Sequence, residues 1–298
     1  MRKLFLLLTL ITLPAFMVQA KTLDARASYL WSSDKNQAMA SLSVAPTYNT
    51  RAGLVARYVK DMRDYSFGRL KDPIYSVYLP LLFQFELLDI ELTPFYYFEH
   101  NADNPSYQDA YAYGGTFALT MLMENDQVND IYTRARLGAS YARQQGTLFT
   151  KDAAPENTDY AQAAYFLQLS HSLFRAYRLE ATGAAFQYPD GITGVTAFRG
   201  VLNQQDLVAL QTLDITRDLR KYALGGRFVR MWAESGSTLY IGYSFTENYT
   251  ADPDHSFIIG NSFPLVKNVF FDMAYNHIET TSHKNKRDIF YLGLGTSF

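Results

Sequence analysis

The sequence lacks several features that would point to other classes of protein. It contains no cysteine among its 298 residues, which excludes disulfides, cysteine-based metal sites and a cysteine nucleophile. Its net charge is only −2, which argues against a large basic surface for nucleic acid. Beyond residue 20, no stretch approaches the roughly 20 consecutive apolar residues of a membrane-spanning helix. An α-helical membrane protein is therefore excluded.

Aromatic residues, by contrast, are abundant. The chain has 23 tyrosines, 21 phenylalanines and 2 tryptophans, while charged residues make up only 19% of it. Disordered chains have few aromatic residues and high charge. The composition therefore predicts a folded protein rich in rings.

The first twenty residues have the pattern of a secretion signal. Two basic residues follow the initial methionine, and a mostly apolar stretch runs from Leu4 to Val18. Ala20 ends a short segment whose small or β-branched side chains suit signal-peptidase cleavage. We therefore predict a signal peptide over residues 1–20, cleaved after Ala20, and a single domain over residues 21–298.

The last segment of the chain alternates between two kinds of side chain. From Arg287 onward, one face of an extended chain is apolar and ends with the terminal residue, whereas the other face is small or mixed. This alternation resembles the terminal strand of Gram-negative outer-membrane β-barrel proteins, which the barrel-assembly machinery recognises. The resemblance implies an assembly signal on the apolar face, formed by Phe290, Leu292, Leu294 and Phe298.

The same period-two alternation recurs along the chain after the signal peptide. Most stretches are near the ten residues that a tilted strand needs to cross a bilayer. They predict an all-β fold: a closed, antiparallel, up-and-down transmembrane β-barrel of about 14 strands. The predicted strands are 22–31, 37–48, 51–61, 73–85, 89–99, 109–123, 131–143, 159–171, 175–188, 221–232, 237–248, 255–263, 268–279 and 287–298.

The strand count depends on residues 189–220. Treated as one long connection, this segment leaves 14 strands. If Ile192–Leu202 and Asp206–Arg217 each pair as strands, the count becomes 16, and 12 is the remaining alternative. Short connections alternate with longer polar ones, as they do in barrels with short periplasmic turns and long external loops.

Aromatic side chains lie near the ends of predicted strands, where amphipathic rings suit the two membrane–water interfaces. The outward faces carry almost no charge apart from Arg230, which is near a strand end and can extend its head group into water. The predicted interface residues are Tyr29, Trp31, Tyr222 and Trp232.

The predicted inward faces are polar, with nearly balanced charge. Fourteen strands about 4.8 Å apart and tilted by about 40° give a backbone radius of roughly 14 Å, which is too wide for side chains to fill. We therefore expect a wet lumen and weak ion selectivity. Arg134 and Arg136 are successive inward residues that either face acids across a constriction or only solvate the wall. The predicted lining residues are Arg26, Arg57, Glu91, Glu99, Arg134, Arg136, Arg178, Glu180, Arg227 and Asp272, and Asp24, Asp61 and Glu86 are further inward acids.

One short segment has residue types found in catalytic sites. Ser170-His171-Ser172 is similar to the pattern of outer-membrane phospholipases and lipid A deacylases. Those enzymes place a serine two residues after the histidine, on the same strand face, whereas Leu173 occupies that position here. Ser172 therefore points away from His171 in a strand, and we predict no enzyme activity.

A second group has residue types that bind metals. His277, Glu279 and His283 are expected in a polar external loop, where nothing fixes ligand geometry. We predict no metal site and no cofactor.

These features together predict an outer-membrane channel for passive diffusion of small hydrophilic solutes. Its expected partners are outer-membrane lipid, the barrel-assembly machinery and small solutes, but not nucleic acid. A gated transporter for a specific or hydrophobic solute, with residues 189–220 as selector, is one alternative. A plugged structural or adhesive barrel is the other.

Overall fold

The structure is a computed structural model, and its regular elements are all β-strands. Among the residues that the structure describes, no helix is long and apolar enough to span a membrane. The predicted signal peptide, both candidate strands within 189–220, His283 and Phe298 lie outside the described residues. The described residues are 22–33, 35–61, 64–65, 68–69, 73–99, 107–126, 128–148, 156–191, 219–249, 251–282 and 286–297.

Seventeen strands are described. They are β1 (Thr22–Ser32), β2 (Lys35–Thr47), β3 (Thr50–Asp61), β4 (Asp64–Tyr65), β5 (Gly68–Arg69), β6 (Pro73–Tyr78), β7 (Leu81–Gln84), β8 (Leu88–Glu99), β9 (Tyr107–Asp126), β10 (Ile131–Leu148), β11 (Glu156–Leu173), β12 (Tyr177–Gln187), β13 (Arg220–Trp232), β14 (Ser237–Asn248), β15 (Asp254–Val266), β16 (Val269–Thr280) and β17 (Lys286–Ser297).

The sheet closes on itself. Neighbouring strands pair antiparallel in chain order, and β1 pairs with β17 from Asp24↔Ser297 to Ser32↔Ile289. Only β4 and β5 stand apart, as a small hairpin of their own. A closed sheet has no unpaired edge, which is what a hydrocarbon environment requires of β-structure.

β6 and β7 form one strand of the wall. Both pair with β3 and with β8, and the register is the same on the two sides of the interruption. The interruption falls at Pro80, because proline has no N–H to donate. Gly53 N donates to the Pro80 carbonyl (2.8 Å) and Leu79 N to the Pro94 carbonyl (2.9 Å), so the wall stays sealed. The wall therefore has 14 strands, as predicted.

The alternative of 16 strands is wrong. β12 pairs directly with β13, from Tyr177↔Arg230 to Ala185↔Tyr222. A strand pair supplied by residues 189–220 would have to lie between them, and this pairing leaves no place for it. The alternative of 12 strands is excluded by the count itself.

Side chains alternate between a lipid-facing belt and the lumen. Along β9, Tyr113, Phe117 and Met121 are exposed on the outer surface, whereas Ala112 and Thr116 are buried on the inner one. The six short turns lie at one end of the barrel, which is the periplasmic end in barrels of this class. The other end, which has the longer connections and the two-residue connection between β1 and β2, is extracellular. The short turns contain residues 48–49, 85–87, 128–130, 174–176, 233–236 and 267–268.

Three strands extend beyond their predicted bounds, because main-chain pairing continues past the apolar belt. β9, β10 and β11 have 20, 18 and 18 residues, and the predicted connection 144–158 is correspondingly shorter. On their outer face, Arg143 Nε contacts the two Asp159 carboxylate oxygens at 2.8 and 2.6 Å. The prediction that Arg230 is the main outward charge is therefore wrong near the extracellular end.

Rings inside the barrel lie over glycines of neighbouring strands. The Phe166 ring covers Gly138, and the Tyr240 ring covers Gly260, so closely that a Cβ at either glycine would clash. The Phe117 carbonyl oxygen is also only 2.6 Å from the place of a Gly138 Cβ. Glycine is required at position 138 because ring and backbone together occupy the space of a side chain, whereas at position 260 only the end of the Tyr240 ring does.

Candidate functional site

The candidate site is the inner wall of the barrel. Alternation along each strand places all ten predicted lining side chains on the inner face: Arg26 in β1, Arg57 in β3, Glu91 and Glu99 in β8, Arg134 and Arg136 in β10, Arg178 and Glu180 in β12, Arg227 in β13, and Asp272 in β16. The side chain of Asp61 is not among those described. Glu86 lies in a periplasmic turn, not in the wall, because β7 ends at Gln84.

The tightest charged group centres on Glu180. Arg227 lies directly opposite it across the β12–β13 pairing, and its Nη2 is 2.6 Å from the carboxylate. Arg178, two residues away on the same face, contacts the other carboxylate oxygen at 2.7 Å. The Glu180 side chain is only 5% exposed. Two guanidinium groups therefore bind one buried acid, and the group keeps one net positive charge.

A second ion pair spans three strands. Arg136 of β10 reaches over the small inward side chains of β9, and its Nη2 lies 3.1 Å from Glu91 of β8. Its guanidinium also stacks on the Phe166 ring, 4.7 Å from the centroid. Glu99 instead accepts a hydrogen bond from Tyr97. Arg134 forms no ion pair with the described residues and is exposed, so the two successive arginines differ in environment.

Further pairs complete the periplasmic half of the wall. Arg26 lies 2.8 Å from Asp272. Arg51, which the sequence analysis did not single out, lies 3.1 Å from Asp24. Its position could have been found by parity, because Arg51 and Arg57 are an even number of residues apart in β3.

Two other inward arginines were missed, for different reasons. Arg287 shares the mixed face of β17 and lies 3.8 Å from Asp254, so parity could have found it. Arg220 is buried at the start of β13, where the register shifts between Arg220 and Tyr222. That bulge reverses the parity, and nothing in the sequence reveals it.

The two halves of the wall differ in exposure. In the periplasmic half, the side chains of Arg26 and Arg51 are 49% and 46% exposed. In the extracellular half, inward side chains are mostly neutral and nearly inaccessible to solvent; examples are Gln37, Tyr97, Gln144, Tyr160, Gln162, Asn248, Ser256 and Asn276. Charge is thus accessible near the periplasmic end, and close packing dominates near the other end.

The outer surface carries the predicted interface residues. Tyr29, Tyr222 and Trp232 are exposed to the outside. Trp31 stacks on Phe290 of the last strand, with ring centroids 5.5 Å apart. Of the predicted assembly signal, Phe290, Leu292 and Leu294 are exposed on the same surface.

The periplasmic turns are tied together by an ion pair. Arg175, in the turn between β11 and β12, has its Nε 2.6 Å from the carboxylate of Asp130 in the turn between β9 and β10. This hydrogen bond raises the pKa of Arg175 above its ordinary value. The pair joins two connections outside the membrane-spanning segments.

The described histidines have ordinary hydrogen-bond partners. His171 Nδ1 lies 2.9 Å from Thr133 Oγ1 on the outer surface, and Ser172 points the opposite way. His277 and Glu279 lie in β16 and not in a loop as predicted, and His277 Nδ1 is 2.8 Å from Asp288. Within the described residues, no group of three potential ligands is placed to hold a metal ion.

No protein-family model and no curated protein matches the chain. Solved structures match its fold. CdiB from Acinetobacter baumannii has a TM-score of 0.53 at 8% identity, over 93% of this chain and 60% of that one, so this chain spans less than two thirds of CdiB. The toluene transporter TodX of Pseudomonas putida has a TM-score of 0.50 at 8% identity, over 93% and 88%. OccAB1 of Acinetobacter baumannii has a TM-score of 0.44 at 8% identity, over 94% of this chain and 98% of that one.

Fold and wall together define a class. The chain forms a closed, 14-stranded, antiparallel barrel with an apolar belt outside and a polar, charged wall inside. That combination is the architecture of porin-like outer-membrane β-barrel proteins. The predicted fold class is therefore confirmed.

Proposed function

We propose that this protein is an outer-membrane channel through which small hydrophilic solutes diffuse passively. The observation that carries the proposal is the accessible charge on the inner wall. Arg26 and Arg51 are about half exposed there although each has an acidic partner. Charged side chains with access to solvent line a water-filled path, because an apolar lumen would not hold them.

The wall gives this channel weak ion selectivity. Arg136 is matched by Glu91 and Arg26 by Asp272, whereas the group of Glu180, Arg178 and Arg227 keeps one net positive charge. Paired charges of opposite sign cancel at distances beyond about 8 Å in physiological salt. A permeating ion therefore meets little net potential from these pairs.

We further propose how the protein is exported and assembled. The predicted signal peptide directs export, and the outward apolar residues of β17, with Phe298, present the assembly signal. Removal of Phe298 is expected to lower the yield of folded barrel in outer membranes. An unchanged yield and rate of folding would contradict this role of the last strand.

A transporter selective for a specific or hydrophobic solute is the second candidate. The observation that favours it is the buried extracellular half of the wall, where Gln144 and Asn276 are fully inaccessible. A narrow extracellular half selects among solutes. An open channel shows conductance proportional to bulk salt, whereas a binding transporter saturates.

The test is single-channel recording of the purified full-length barrel in planar bilayers. We expect discrete conductance steps that scale with bulk conductivity and a cation-to-anion preference within a few-fold. Protein that has the compact, heat-modifiable mobility of a folded barrel, yet never conducts, would contradict the channel and favour a plugged structural barrel. Heat-unfolded protein at the same concentration is the control.

A further inference from the structure

One inward arginine differs from its neighbours in how its charge is balanced. Most inward arginines lie within 4 Å of an acid: Arg26, Arg51, Arg136, Arg178, Arg227 and Arg287. Arg57 forms no ion pair with the described residues, and it is only 8% exposed. Arg134 is also unpaired there, but water solvates its exposed side chain. Arg57 alone combines burial with the lack of an acidic partner among these arginines.

Two of the three guanidinium nitrogens of Arg57 have no hydrogen-bond partner. Nε and Nη1 are buried and have no hydrogen-bond partner. The face of the guanidinium is covered by the Tyr78 ring, whose centroid is 5.2 Å from Cζ. Stacking leaves the in-plane N–H groups as the remaining means of interaction. A buried guanidinium without an anion is unfavourable, so the geometry calls for an anionic partner.

Two neighbouring polar side chains are unsatisfied in the same way. Ser76 of β6 lies directly opposite Arg57 in the register, and its buried Oγ has no partner. Gln37 of β2 pairs with Val59, one inward position along β3 from Arg57, and its buried Oε1 has no partner either. Three adjacent strands thus present guanidinium donors, a hydroxyl and an amide oxygen in one region of the wall.

The surroundings of this polar group are apolar. Tyr78 packs beside Phe95, with ring centroids 6.0 Å apart. Both belong to one buried cluster with Val59 and Ile74. A strongly hydrated inorganic ion gains nothing from such a surface, whereas an organic anion buries its apolar part against it.

We infer that Arg57, Ser76 and Gln37 form a binding subsite for a small carboxylate that carries a compact apolar or aromatic body. This inference rests on the proposed function, since the solute reaches the subsite through the lumen. Arg57 binds the carboxylate through charge-assisted hydrogen bonds. Ser76 and Gln37 bind its polar substituents, and Tyr78 and Phe95 contact the apolar body. The subsite makes the channel retain organic acids that a plain pore would pass.

The test uses benzoate as probe and benzamide as its neutral match, in single-channel recordings of the full-length barrel. We expect benzoate to reduce the conductance saturably, with a half-blocking concentration at least tenfold below that of benzamide. Arg57→Met is expected to raise the half-blocking concentration of benzoate at least tenfold. Arg230→Met is the matched control, because Arg230 also stacks on a tyrosine, 4.3 Å from the Tyr177 centroid, but on the outer face. Arg230→Met should change the half-blocking concentration of benzoate less than twofold.

A stability measurement separates binding from a structural role. Replacing an unpaired buried charge by a side chain of similar volume is neutral or stabilising, so Arg57→Met should unfold at an equal or higher urea concentration than the wild type. Benzoate should raise the urea midpoint of the wild type but not of Arg57→Met. Loss of folding in Arg57→Met would overturn the inference, because it would make Arg57 a structural residue.

Failure of the subsite and failure of the channel give different results. If the wild type conducts but benzoate and benzamide act alike, or Arg57→Met behaves as the wild type, the subsite is wrong and the channel stands. If the folded wild type never conducts, the channel is wrong. The urea midpoints with and without benzoate then still decide whether Arg57 binds a carboxylate.

Discussion

The two halves of the inner wall satisfy their polar groups in opposite ways. Near the periplasmic end, guanidinium and carboxylate groups pair while keeping contact with solvent, as Arg26 does with Asp272. Near the extracellular end, neutral groups pair out of reach of solvent. Ser256 donates to Asn276 at 2.7 Å, and Gln162 Nε2 lies 3.3 Å from Gln144 Oε1.

Because of this difference between the two halves, stability and permeation are expected to depend on different residues. Exposed ion pairs contribute about 0–1 kcal/mol each, but they set the charge that a solute meets. Buried amides and rings cannot exchange a lost partner for water, so each loss costs about 1–3 kcal/mol. We therefore expect the periplasmic half to govern ion preference and the close-packed positions to govern stability.

Glu180 is an exception, because it lies in the periplasmic half and is nevertheless expected to govern stability. It lies in the periplasmic half, but its side chain is 5% exposed and holds both Arg178 and Arg227. Glu180→Gln leaves two partly buried cations without their counter-ion, so we expect a loss of about 3 kcal/mol in unfolding free energy. Urea titration of the barrel in lipid vesicles measures it. The same variant should shift ion preference towards anions.

An exposed pair on the outer surface provides the control for Glu180. Asp159→Asn breaks the pair with Arg143, whose side chain is 50% exposed. Its cost should stay below about 1 kcal/mol, with ion preference unchanged. Equal losses in the two variants would contradict the view that burial decides the cost.

Gly138 tests the close packing of rings over glycines. Gly138→Ala forces a methyl group into the Phe166 ring and towards the Phe117 carbonyl oxygen. We expect a loss of about 2 kcal/mol, typical of overpacking, measured by the same urea titration. Gly295→Ala is the matched control on the inner face of β17, since its nearest atom would be at an ordinary 3.5 Å. A cost for Gly295→Ala as large as that for Gly138→Ala would show that loss of any inward glycine matters.

Arg134 tests whether an exposed charge in the periplasmic half sets the ion preference of the channel. It is exposed and forms no ion pair with the described residues, so Arg134→Gln should alter stability by less than about 0.5 kcal/mol. Removing one uncompensated positive charge should move the cation-to-anion permeability ratio towards cations by up to a few-fold, as read from reversal potentials in a salt gradient. Arg230→Gln removes the same charge from the outer surface and should leave the ratio unchanged. A shift of equal size in both variants would mean that the effect is not lumenal.

The sequence was sufficient for the architecture because the period-two pattern is strong. The count of fourteen strands agrees with the structure, and the ten side chains predicted to line the lumen lie on the inner face, whereas Glu86 lies in a turn. The pattern acts locally, since each apolar side chain alternates with a polar one in its own strand. It needs no knowledge of which strands are neighbours.

What the sequence did not reveal depends on contacts between strands. The lack of an acidic partner for Arg57 follows from what faces it across β2 and β6. The inward position of Arg220 follows from a bulge. The length of β10 and β11 follows from pairing that continues outside the belt, with Arg143 and Asp159 as the outward residues. None of these contacts changes the period-two pattern of side chains within a single strand.

Deletion of the longest connection is expected to have only a small effect on folding. Deleting Thr193–Thr216 removes residues outside the described part of the chain and leaves β12 and β13 paired with each other. The anchors on both sides remain, because Tyr188 Oη donates to the Arg220 carbonyl at 2.9 Å and Leu219 accepts from the Tyr249 N–H at 2.8 Å. Shortening a loop changes its closure free energy by only about 1 kcal/mol. We therefore expect normal heat-modifiable folding.

Conductance of the same deletion decides between the two channel types. The removed segment includes a mostly apolar run from Asp206 to Ile215, which is unsuited to free exposure in water. If the extracellular half limits permeation with the help of this segment, its deletion raises single-channel conductance and weakens discrimination among solutes, and that is the result we expect. A variant that folds normally and conducts as the wild type does would remove the segment from the permeation path. The buried wall near Gln144 and Asn276 would then be the sole determinant of selectivity in that half.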